Sequence, residues 1–438
     1  MNSHNLFKAI DGTVYYIPEE YSFYDFNTDD ESIDPYKINE EERMIRWKSA
    51  TDNNNNNSNL SNQGEDEIHK QFSKYSQIYI VNSVKAGKTS NYELRLKNEI
   101  ASLYYDVMKR YNTKTNIIKT ESADAIFELG VKIKKNWKLS EKKASTLIII
   151  LSGDTSISEL LNGSTLDPIL HILTVPVGTA NALFLKLFKL PKEIKLGEDP
   201  KQEKRQIMSD SFFRFVCGDL KLINVPFYII SNKQGIELSK SILLTTTGFH
   251  ATLLKVASSP EYKKYGVERF VKASGEVVNN YKLDNNVKLY NSEGKIYYNG
   301  ESSYFGVFAT GRLEPTYDIS PKSDLKNRAF LSIKENGDRK NFVDKIMYGY
   351  GDEKVLLENF KKDENIAYEN VDLQDELYLE VTNKDPTDPK RDVSICVDGF
   401  ILNNEDIKDT KSYTYTIKIK TETHSNVRFY TYEKGLYN

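Results

Sequence analysis

The sequence of 438 residues has few cysteines, no long apolar run and almost no net charge. Its two cysteines, Cys217 and Cys396, lie far apart in the chain without CxxC spacing, which excludes a disulfide framework and predicts two buried thiols in a reducing compartment. The longest clean apolar stretch, 147–151, is too short to cross a bilayer, and the first residues lack the apolar core of a secretory signal. We therefore expect a cytoplasmic protein that reaches a membrane only peripherally.

The charged residues are nearly balanced. Sixty basic and 63 acidic residues give a formal net charge of −3 and an isoelectric point near 6.1. Such a chain has no broad positive field, so nucleic acid is not an expected partner. The five histidines show no paired spacing, which predicts no zinc site. A hydrophobic content of 39% is enough for ordinary globular cores.

The pattern of polar and apolar residues divides the chain into three parts. Residues 1–75 form a variable tail that contains an aromatic segment suited to a strand or hairpin (12–26) and an Asn-rich tract expected to be a disordered linker (51–66). Residues 76–205 alternate four times between strand and helix, which predicts a Rossmann-like α/β domain with a parallel sheet. Residues 206–438 consist mainly of period-2 runs, which predict an antiparallel β-sandwich.

Three strand-to-helix loops of the α/β domain are rich in small and polar residues. They span residues 82–88, 152–156 and 176–181. Glycine and serine allow close backbone approach, helix N-termini offer free N–H groups, and Lys85 and Lys88 add positive charge. Because the carboxyl ends of parallel strands share one edge of a sheet, we expect these loops to form a phosphate-binding site together.

The second of these loops contains a carboxylate, Asp154, that could accept a proton from a hydroxyl or help to hold Mg²⁺. A Gly-Asp turn between a strand and a helix is also a common helix cap with no further role. Neither the P-loop consensus nor the dinucleotide-binding Gly-x-Gly-x-x-Gly occurs in the sequence. The case for a site depends on the three loops being present together.

The order of these motifs resembles the catalytic domain of diacylglycerol kinases and of sphingosine (long-chain base) kinases. The matching segments are Asn82 with Gly87-Lys88, 120–124, 152–163, 176–182, Gly248-Phe249, 262–270 and 397–399. Ser-Gly-Asp at 152–154 and the run at 262–270 are more similar to sphingosine kinases. The resemblance implies ATP and Mg²⁺ as cofactors, transfer of a phosphoryl group to a lipid hydroxyl between a nucleotide-binding and a lipid-binding domain, and transient contact with a membrane surface.

The resemblance also implies roles for individual residues. Asp154 corresponds to the catalytic carboxylate that activates the acceptor hydroxyl, and Lys263 and Arg269 match a basic pair that reaches the phosphates from the second domain. Thr252 and Leu254 lie where the substrate head group binds. The remaining implied nucleotide contacts are Asn82, Gly87, Lys88, Thr120, Ser152, Gly153, Thr155, Gly178, Thr179, Asn181, Asp398 and Gly399.

Three departures from the family pattern keep alternatives open. Thr155 stands where the family has glycine, and a β-branched residue resists positive φ. Phe400 replaces a glutamate, and no carboxylate occurs between the Gly-Phe pair and Glu261 to hold a sphingoid amine. A sphingoid base and diacylglycerol are therefore both candidate acceptors. A pseudokinase that binds lipid or nucleotide is the alternative function, and an NAD kinase-like enzyme is a weaker one.

Several of the same residues also have structural explanations. His250 fits a core histidine in an apolar strand, and Asp398-Gly399 fits the turn of a type I′ hairpin. The charged residues of 261–269 fit the solvated face of a helix. With so little net charge, attraction to an anionic membrane requires a local patch, for which we predict Lys186, Lys189 and Lys192.

Overall fold

The computed structural model describes residues 70–83, 91–120, 122, 124–140, 143–190, 200–216, 218–409, 412–423 and 425–432, together with three short N-terminal strands. These strands, β1 (Leu6–Lys8), β2 (Val14–Tyr16) and β3 (Lys48–Ser49), form a small antiparallel sheet. β2 lies in the aromatic segment predicted to form a strand or hairpin. The predicted linker 51–66 lies outside the described residues, and so do Lys85, Gly87, Lys88, Lys192 and Cys217.

A mixed six-stranded sheet, in the order β5-β4-β6-β7-β23-β8, forms the first layer. Its strands are β4 (Gln77–Asn82), β5 (Thr115–Lys119), β6 (Thr146–Ser152), β7 (Leu170–Pro176), β8 (Lys221–Asn224) and β23 (Val427–Thr431). β4 to β7 pair in parallel, and β6 and β7 are buried along their whole length, as central strands of a sheet covered on both faces are. The helices of this region are α1 (Asn91–Tyr111), α2 (Ala125–Leu139), α3 (Asp154–Ser164), α4 (Ala182–Leu187) and α5 (Pro200–Val216). The predicted α/β fold is confirmed.

Two strands assigned from sequence to the antiparallel region belong instead to this sheet. β23 pairs in parallel with β7, and β8 pairs antiparallel with β23. The run 220–230, expected as one strand, is interrupted because Pro226 has no N–H to donate to a ladder. The alternation of polar and apolar residues predicts a strand but does not identify the strand it pairs with. The sequence pattern at 427–432 therefore could not show to which sheet this strand belongs.

The second region is an antiparallel β-sandwich, as predicted. One sheet has the order β10-β9-β22-β19-β12-β13 and the other β18-β17-β14-β11-β20-β21, while β15 and β16 form a separate hairpin. The two sheets share one apolar core, to which Ile230 and Leu379 contribute from the first and Phe305 and Phe330 from the second. The bounds are β9 (Phe227–Asn232), β10 (Glu237–Ser241), β11 (Leu244–Gly248), β12 (Asn285–Asn291), β13 (Ile296–Ser302), β14 (Tyr304–Phe308), β15 (Arg312–Glu314), β16 (Tyr317–Asp318), β17 (Arg328–Ile333), β18 (Ile366–Val371), β19 (Leu377–Thr382), β20 (Ile395–Val397), β21 (Phe400–Ile401) and β22 (Thr414–Glu422).

Helices accompany the sandwich in larger number than the sequence indicated. They are α6 (Phe249–Ala257), α7 (Pro260–Lys263), α8 (Arg269–Asn280), α9 (Arg339–Met347), α10 (Glu353–Lys362) and α11 (Asn404–Ile407). The helical stretch predicted at 261–280 is confirmed, with a 3-10 turn at Gly266–Glu268. The strand expected around His250 is wrong, because α6 begins directly after β11. Gly248 permits that bend: its φ is 74°, and a Cβ there would lie 2.3 Å from the Ser303 carbonyl oxygen.

Two helices of the α/β region connect it to the second region. In α3, the Asn162 side-chain oxygen accepts a hydrogen bond of 2.8 Å from the main chain of Lys240. In α4, the Lys186 ammonium donates to the Ser323 carbonyl at 3.1 Å, and Arg312 donates to the carbonyl of Leu190 just beyond that helix. Lys186 is therefore part of this contact. Lys189 is exposed and Lys192 lies outside the described residues, so the basic patch stays a prediction. Across the described residues, no helix is long and apolar enough to cross a membrane.

Candidate active site

The carboxyl ends of the parallel strands bring the predicted loops together. Asn82 at the end of β4 is in register with Lys119 and Leu151, and Ser152 at the end of β6 is in register with Pro176. The loops that follow β4, β5, β6 and β7 therefore start side by side at one edge of the sheet. This is the arrangement that the sequence predicted for a phosphate-binding site.

Two of these loops touch through glycines. Gly153 is the N-cap of α3, and Gly178 lies in the loop after β7. A Cβ on Gly178 would lie 2.4 Å from the Gly153 Cα, which is too short for two carbon atoms that are not bonded to each other. Glycine at 178 is therefore required by close backbone packing. The contact leaves two stretches of main chain next to each other without side chains between them.

The loop after β7 is stabilised by its own asparagine. Asn181 has left-handed backbone dihedrals, with φ 57° and ψ 36°, which asparagine tolerates better than most residues. Its side chain accepts from the Gly178 N–H at 2.9 Å and donates to the Gly178 carbonyl at 2.8 Å. These bonds fix the path of the loop, so Asn181 shapes the site from within. Thr179, in the same loop, is exposed.

Asp154 is held between α3, where it is the first residue, and the N-terminus of α4. One carboxylate oxygen accepts from the Ala182 N–H at 2.8 Å and the other from the Leu183 N–H at 3.0 Å. Burial raises the pKa of Asp154 to about 6; these backbone hydrogen bonds oppose the shift, and the charge of Asp398 adds to it. A carboxylate with this pKa is mostly ionised at neutral pH and still basic enough to take a proton.

Asn82 supplies an unused acceptor at the same edge. It is completely buried, its amide donates to the Asn98 side chain at 2.8 Å, and its own side-chain oxygen has no hydrogen-bond partner among the described residues. Beside it, the main-chain N–H of Thr120 donates to the Asn82 carbonyl. A buried amide oxygen without a partner is costly in a folded protein, so this one fits a ligand that donates a hydrogen bond. The hydroxyl of Ser152, by contrast, is 2.5 Å from that of Ser156.

Asp398 has a different environment from the one its predicted role requires. Its side chain is buried and accepts five hydrogen bonds. The donors are the hydroxyls of Ser158 and Ser241 and the main-chain N–H groups of Ile242, Leu243 and Leu244. The carboxylate thus joins α3 to the turn between β10 and β11 and has no capacity left for a nucleotide.

Asp398 and Gly399 are the two central residues of the hairpin between β20 and β21. Val397 pairs with Phe400 across the turn, and φ is 46° at Asp398 and 93° at Gly399. Positive φ at both positions is what a type I′ turn requires, so the structural explanation offered from sequence is confirmed. A Cβ on Gly399 would lie 2.8 Å from the Thr155 Cγ2. The hairpin therefore touches the loop that carries Asp154.

Thr155 occupies its position without strain. It lies in the first turn of α3, in helical backbone with negative φ. The loop needs no positive φ at this position, because the chain enters the helix one residue after Gly153. Thr155 is exposed on the helix surface beside the hairpin. The Thr155 side chain would affect a ligand only through the space that it occupies.

The basic pair of the second region is not bonded to these loops. Lys263 ends α7 and is exposed, while Arg269 begins α8, where its guanidinium lies 4.8 Å from the Phe270 ring centre. Within the described residues neither side chain forms a hydrogen bond or ion pair with the loops of the α/β region, and the Arg269 Nε has no partner. Their predicted contact with phosphates stays a prediction.

The predicted substrate residues lie on α6. Thr252 is completely buried, with its hydroxyl 2.9 Å from both the Gly248 carbonyl and an Asp392 carboxylate oxygen, and Leu254 is half-buried. Asp392 also forms an ion pair of 2.5 Å with Lys255. Sequence reasoning found no carboxylate for this region because Asp392 lies 140 residues after Thr252 and reaches it only through the fold. No local signal in the sequence marks Asp392.

His250 is a partly buried histidine with a hydrogen-bond partner. Its Nδ1 is 2.9 Å from the Thr246 hydroxyl, and burial lowers its pKa to about 4, which keeps it neutral. Within the described part of the chain, no group of three or more His, Cys, Asp or Glu side chains is placed to hold a metal ion. A divalent cation at this site would need ligands from a bound phosphate as well as from the protein.

Comparison with known proteins identifies the fold. No family model and no curated protein matches the chain. A crystal structure of a protein from Bacillus anthracis strain Sterne, described as a "putative diacylglycerol kinase", matches with a TM-score of 0.51 at 12% identity, covering 83% of this chain and 98% of the other. A second structure under that description matches at 12% identity, with the same coverage and a TM-score of 0.49. The chain therefore has the two-part fold of that protein, an α/β region with a β-sandwich.

Proposed function

We propose that this protein is an ATP-dependent lipid kinase, which transfers a phosphoryl group to the hydroxyl of a sphingoid base or, as the second choice, of diacylglycerol. The observation that carries the proposal is the position of Asp154, which the N-terminus of α4 holds at the edge of the sheet where the loops after β6 and β7 begin side by side. The likeness in fold to a protein described as a diacylglycerol kinase supports the same reaction class.

The residues at this edge suit a nucleotide. The free side-chain oxygen of Asn82 can accept a hydrogen bond from an adenine amine or a ribose hydroxyl, and the Gly153–Gly178 contact leaves main chain open to phosphate oxygens. ATP with Mg²⁺ would supply the phosphoryl group and neutralise its charge. The exposed side chains of Lys263 and Thr179 are free to approach phosphates, whereas Asp398 is not.

In this mechanism Asp154 acts as the general base. Its two hydrogen bonds from α4 orient the carboxylate, and each oxygen keeps a lone pair with which to take the proton of the acceptor hydroxyl. A pKa of about 6 keeps the group ionised at pH 7 while leaving it a better base than an ordinary aspartate. Phosphoryl transfer otherwise depends on alignment and charge neutralisation more than on covalent chemistry.

The second candidate is a pseudokinase that binds lipid or nucleotide without turnover. It is favoured by one observation: both oxygens of Asp154 already serve as the cap of α4, a structural role that would keep the residue in place without catalysis. In this case the edge of the sheet beside the Gly399 hairpin would bind its ligand as a regulatory signal. The two candidates differ in turnover and share ligand binding.

One experiment separates them. Purified protein is incubated with radiolabelled ATP and Mg²⁺ and with sphingosine, diacylglycerol, ceramide or NAD in turn, while ATP binding is measured in parallel. We expect labelled product with sphingosine or diacylglycerol. Product with NAD alone would replace the lipid kinase with an NAD kinase. ATP binding without product from any acceptor would support the pseudokinase and reject the proposal.

A further inference from the structure

A small internal cavity lies inside the β-sandwich. Its volume is about 10 Å³, room for one species of about the size of a water molecule. Five of its nine lining residues are apolar, and the four polar ones include Tyr228 on β9, Thr245 on β11 and Arg328 on β17. Ser241, which donates to Asp398, forms part of the same wall.

Arg328 is the group that makes this cavity unusual. Its side chain is 1% exposed, yet among the described residues it forms no ion pair. One terminal nitrogen donates to the main-chain carbonyls of Asp372 and Asp375, while Nε and the other terminal nitrogen have no hydrogen-bond partner in the part of the chain that the structure describes. Burying a guanidinium in this state is costly, because it loses hydration while two of its nitrogens gain no acceptor and no carboxylate lies in direct contact with it.

A second donor without a partner among the described residues lies beside Arg328. Tyr228 places its ring 5.2 Å from the guanidinium carbon, and its buried hydroxyl also lacks a partner, so a second donor is available. Two neighbouring carboxylates are already bonded: Asp375 accepts from the side chains of Asn291 and Tyr297, and Asp398 accepts five hydrogen bonds. Asp375 and Asp372 attract the guanidinium from a distance without an ion pair to it. Neither carboxylate is paired with Arg328.

We propose that this cavity binds a monatomic anion, chloride, held by the unpartnered N–H groups of Arg328 and the hydroxyl of Tyr228. The ion would supply an acceptor for the two unpartnered nitrogens and a negative charge in direct contact with the guanidinium, in a space too small for phosphate or a carboxylate ligand. The site is separate from the proposed ATP site, and its occupancy does not depend on whether the protein is a kinase. A water molecule would satisfy the donors without the charge, which makes it the competing occupant.

A crystal structure of the full chain grown with bromide in place of chloride tests the identity of the occupant. We expect an anomalous scattering peak in the cavity, in contact with the Arg328 guanidinium. A well-ordered peak that refines as water, with no anomalous signal at a high bromide concentration, would overturn the proposal. An empty cavity would overturn it as well.

Thermal unfolding provides a second test in solution. Because an anion bound only by the folded state stabilises it, we expect the Tm to rise by about 2 °C or more in chloride relative to fluoride or gluconate at equal ionic strength. Arg328→Met should abolish that difference, and Tyr228→Phe should reduce it while keeping the ring. Arg312→Met is the matched control, since Arg312 is a buried arginine whose guanidinium already donates to main-chain carbonyls, and it should retain the chloride dependence. Equal Tm values of the wild type in these salts would contradict the proposal.

Discussion

Asp154 and Asp398 are carboxylates of the two regions that meet at this site, and they differ in how completely the protein uses them. Asp154 accepts two main-chain hydrogen bonds at the end of the parallel sheet and is partly exposed. Asp398 accepts five and is 3% exposed in the sandwich hairpin. Both were candidates for ligand contact from sequence. Only the first has acceptor capacity left for chemistry.

The difference follows from what surrounds each carboxylate. The N–H groups at the start of a helix are a fixed pair of donors, and they orient Asp154 while leaving lone pairs open. Without Asp398, three N–H groups at the turn between β10 and β11 would be buried without an acceptor. The hydrogen-bonding capacity of that carboxylate therefore serves the fold. A carboxylate with spare acceptors suits catalysis, whereas one that satisfies a buried turn suits stability.

The largest effect should come from removing the charge of Asp154. If it is the general base, Asp154→Asn should lower turnover by about 10²–10⁴-fold while costing only about 1 kcal/mol in the free energy of unfolding, because the amide oxygen can keep one of the two hydrogen bonds. Turnover of the wild type should rise with pH through about 6, as the carboxylate loses its proton, and the variant should lose this dependence. Steady-state kinetics and denaturant unfolding measure the two quantities.

The matched control is Asp338→Asn, which changes an aspartate that caps α9 through a bond of 2.9 Å to Asn341. It should cost a similar amount of stability and leave turnover unchanged. An Asp154→Asn variant with wild-type turnover would show that Asp154 is not the general base. The proposed functional difference between Asp154 and Asp398 would then be wrong.

Asp398→Asn should produce the opposite pattern. Asparagine tolerates the positive φ of the turn but replaces one acceptor with a donor that faces buried N–H groups, so we expect a loss of about 3 kcal/mol in the free energy of unfolding. Urea unfolding monitored by tyrosine fluorescence would measure it. Asp352→Asn, at an exposed cap that accepts from Lys354 and Val355, should cost about 1 kcal/mol or less. Equal losses of unfolding free energy in the two variants would show that the five hydrogen bonds of Asp398 stabilise the protein no more than an ordinary helix cap does.

The sequence predicted the α/β region more completely than the sandwich, for a physical reason. Strand β6 is a continuous apolar run and α1 shows helical spacing, so local patterns identify both elements, and parallel order then brings the loops to one edge. The position of Asp154 followed from its loop. Its bonds to Ala182 and Leu183 did not, since they depend on how closely Gly178 approaches Gly153.

In the second region the decisive contacts join residues that are distant in the chain. Asp398 bonds Ser158 from 240 residues away, and Asp392 reaches Thr252 across 140. No local pattern encodes such partners, and α6 was mistaken for a strand because its apolar residues follow a β-branched run without a break. The turn at Asp398-Gly399 was predictable because its dihedrals are a local property.

Gly178→Ala tests the contact between the two loops and should have an intermediate effect. The added methyl group would lie 2.4 Å from the Gly153 Cα, so the loops must separate, at a cost of about 1–3 kcal/mol in the free energy of unfolding. Because that movement displaces the N-terminus of α4 from Asp154, turnover should fall as well. Gly275→Ala in α8 is the control, since a Cβ there meets no atom within 4 Å and should stabilise the helix slightly. Unchanged stability of Gly178→Ala would show that the loops are free to move apart.

The smallest effect is expected from Thr155→Gly, the change that restores the glycine of the resembling kinases. Thr155 has helical dihedrals, so glycine brings no relief of strain and lowers helix propensity by a few tenths of a kcal/mol. The methyl group that lies against the Gly399 turn is lost, which opens the space between the loop of Asp154 and the hairpin. We expect turnover within about threefold of the wild type, because the bonds that hold Asp154 come from α4 and are untouched. A large gain in turnover would mean that the Thr155 side chain obstructs the site, and the inactivity proposed for a pseudokinase would then have a single identifiable cause.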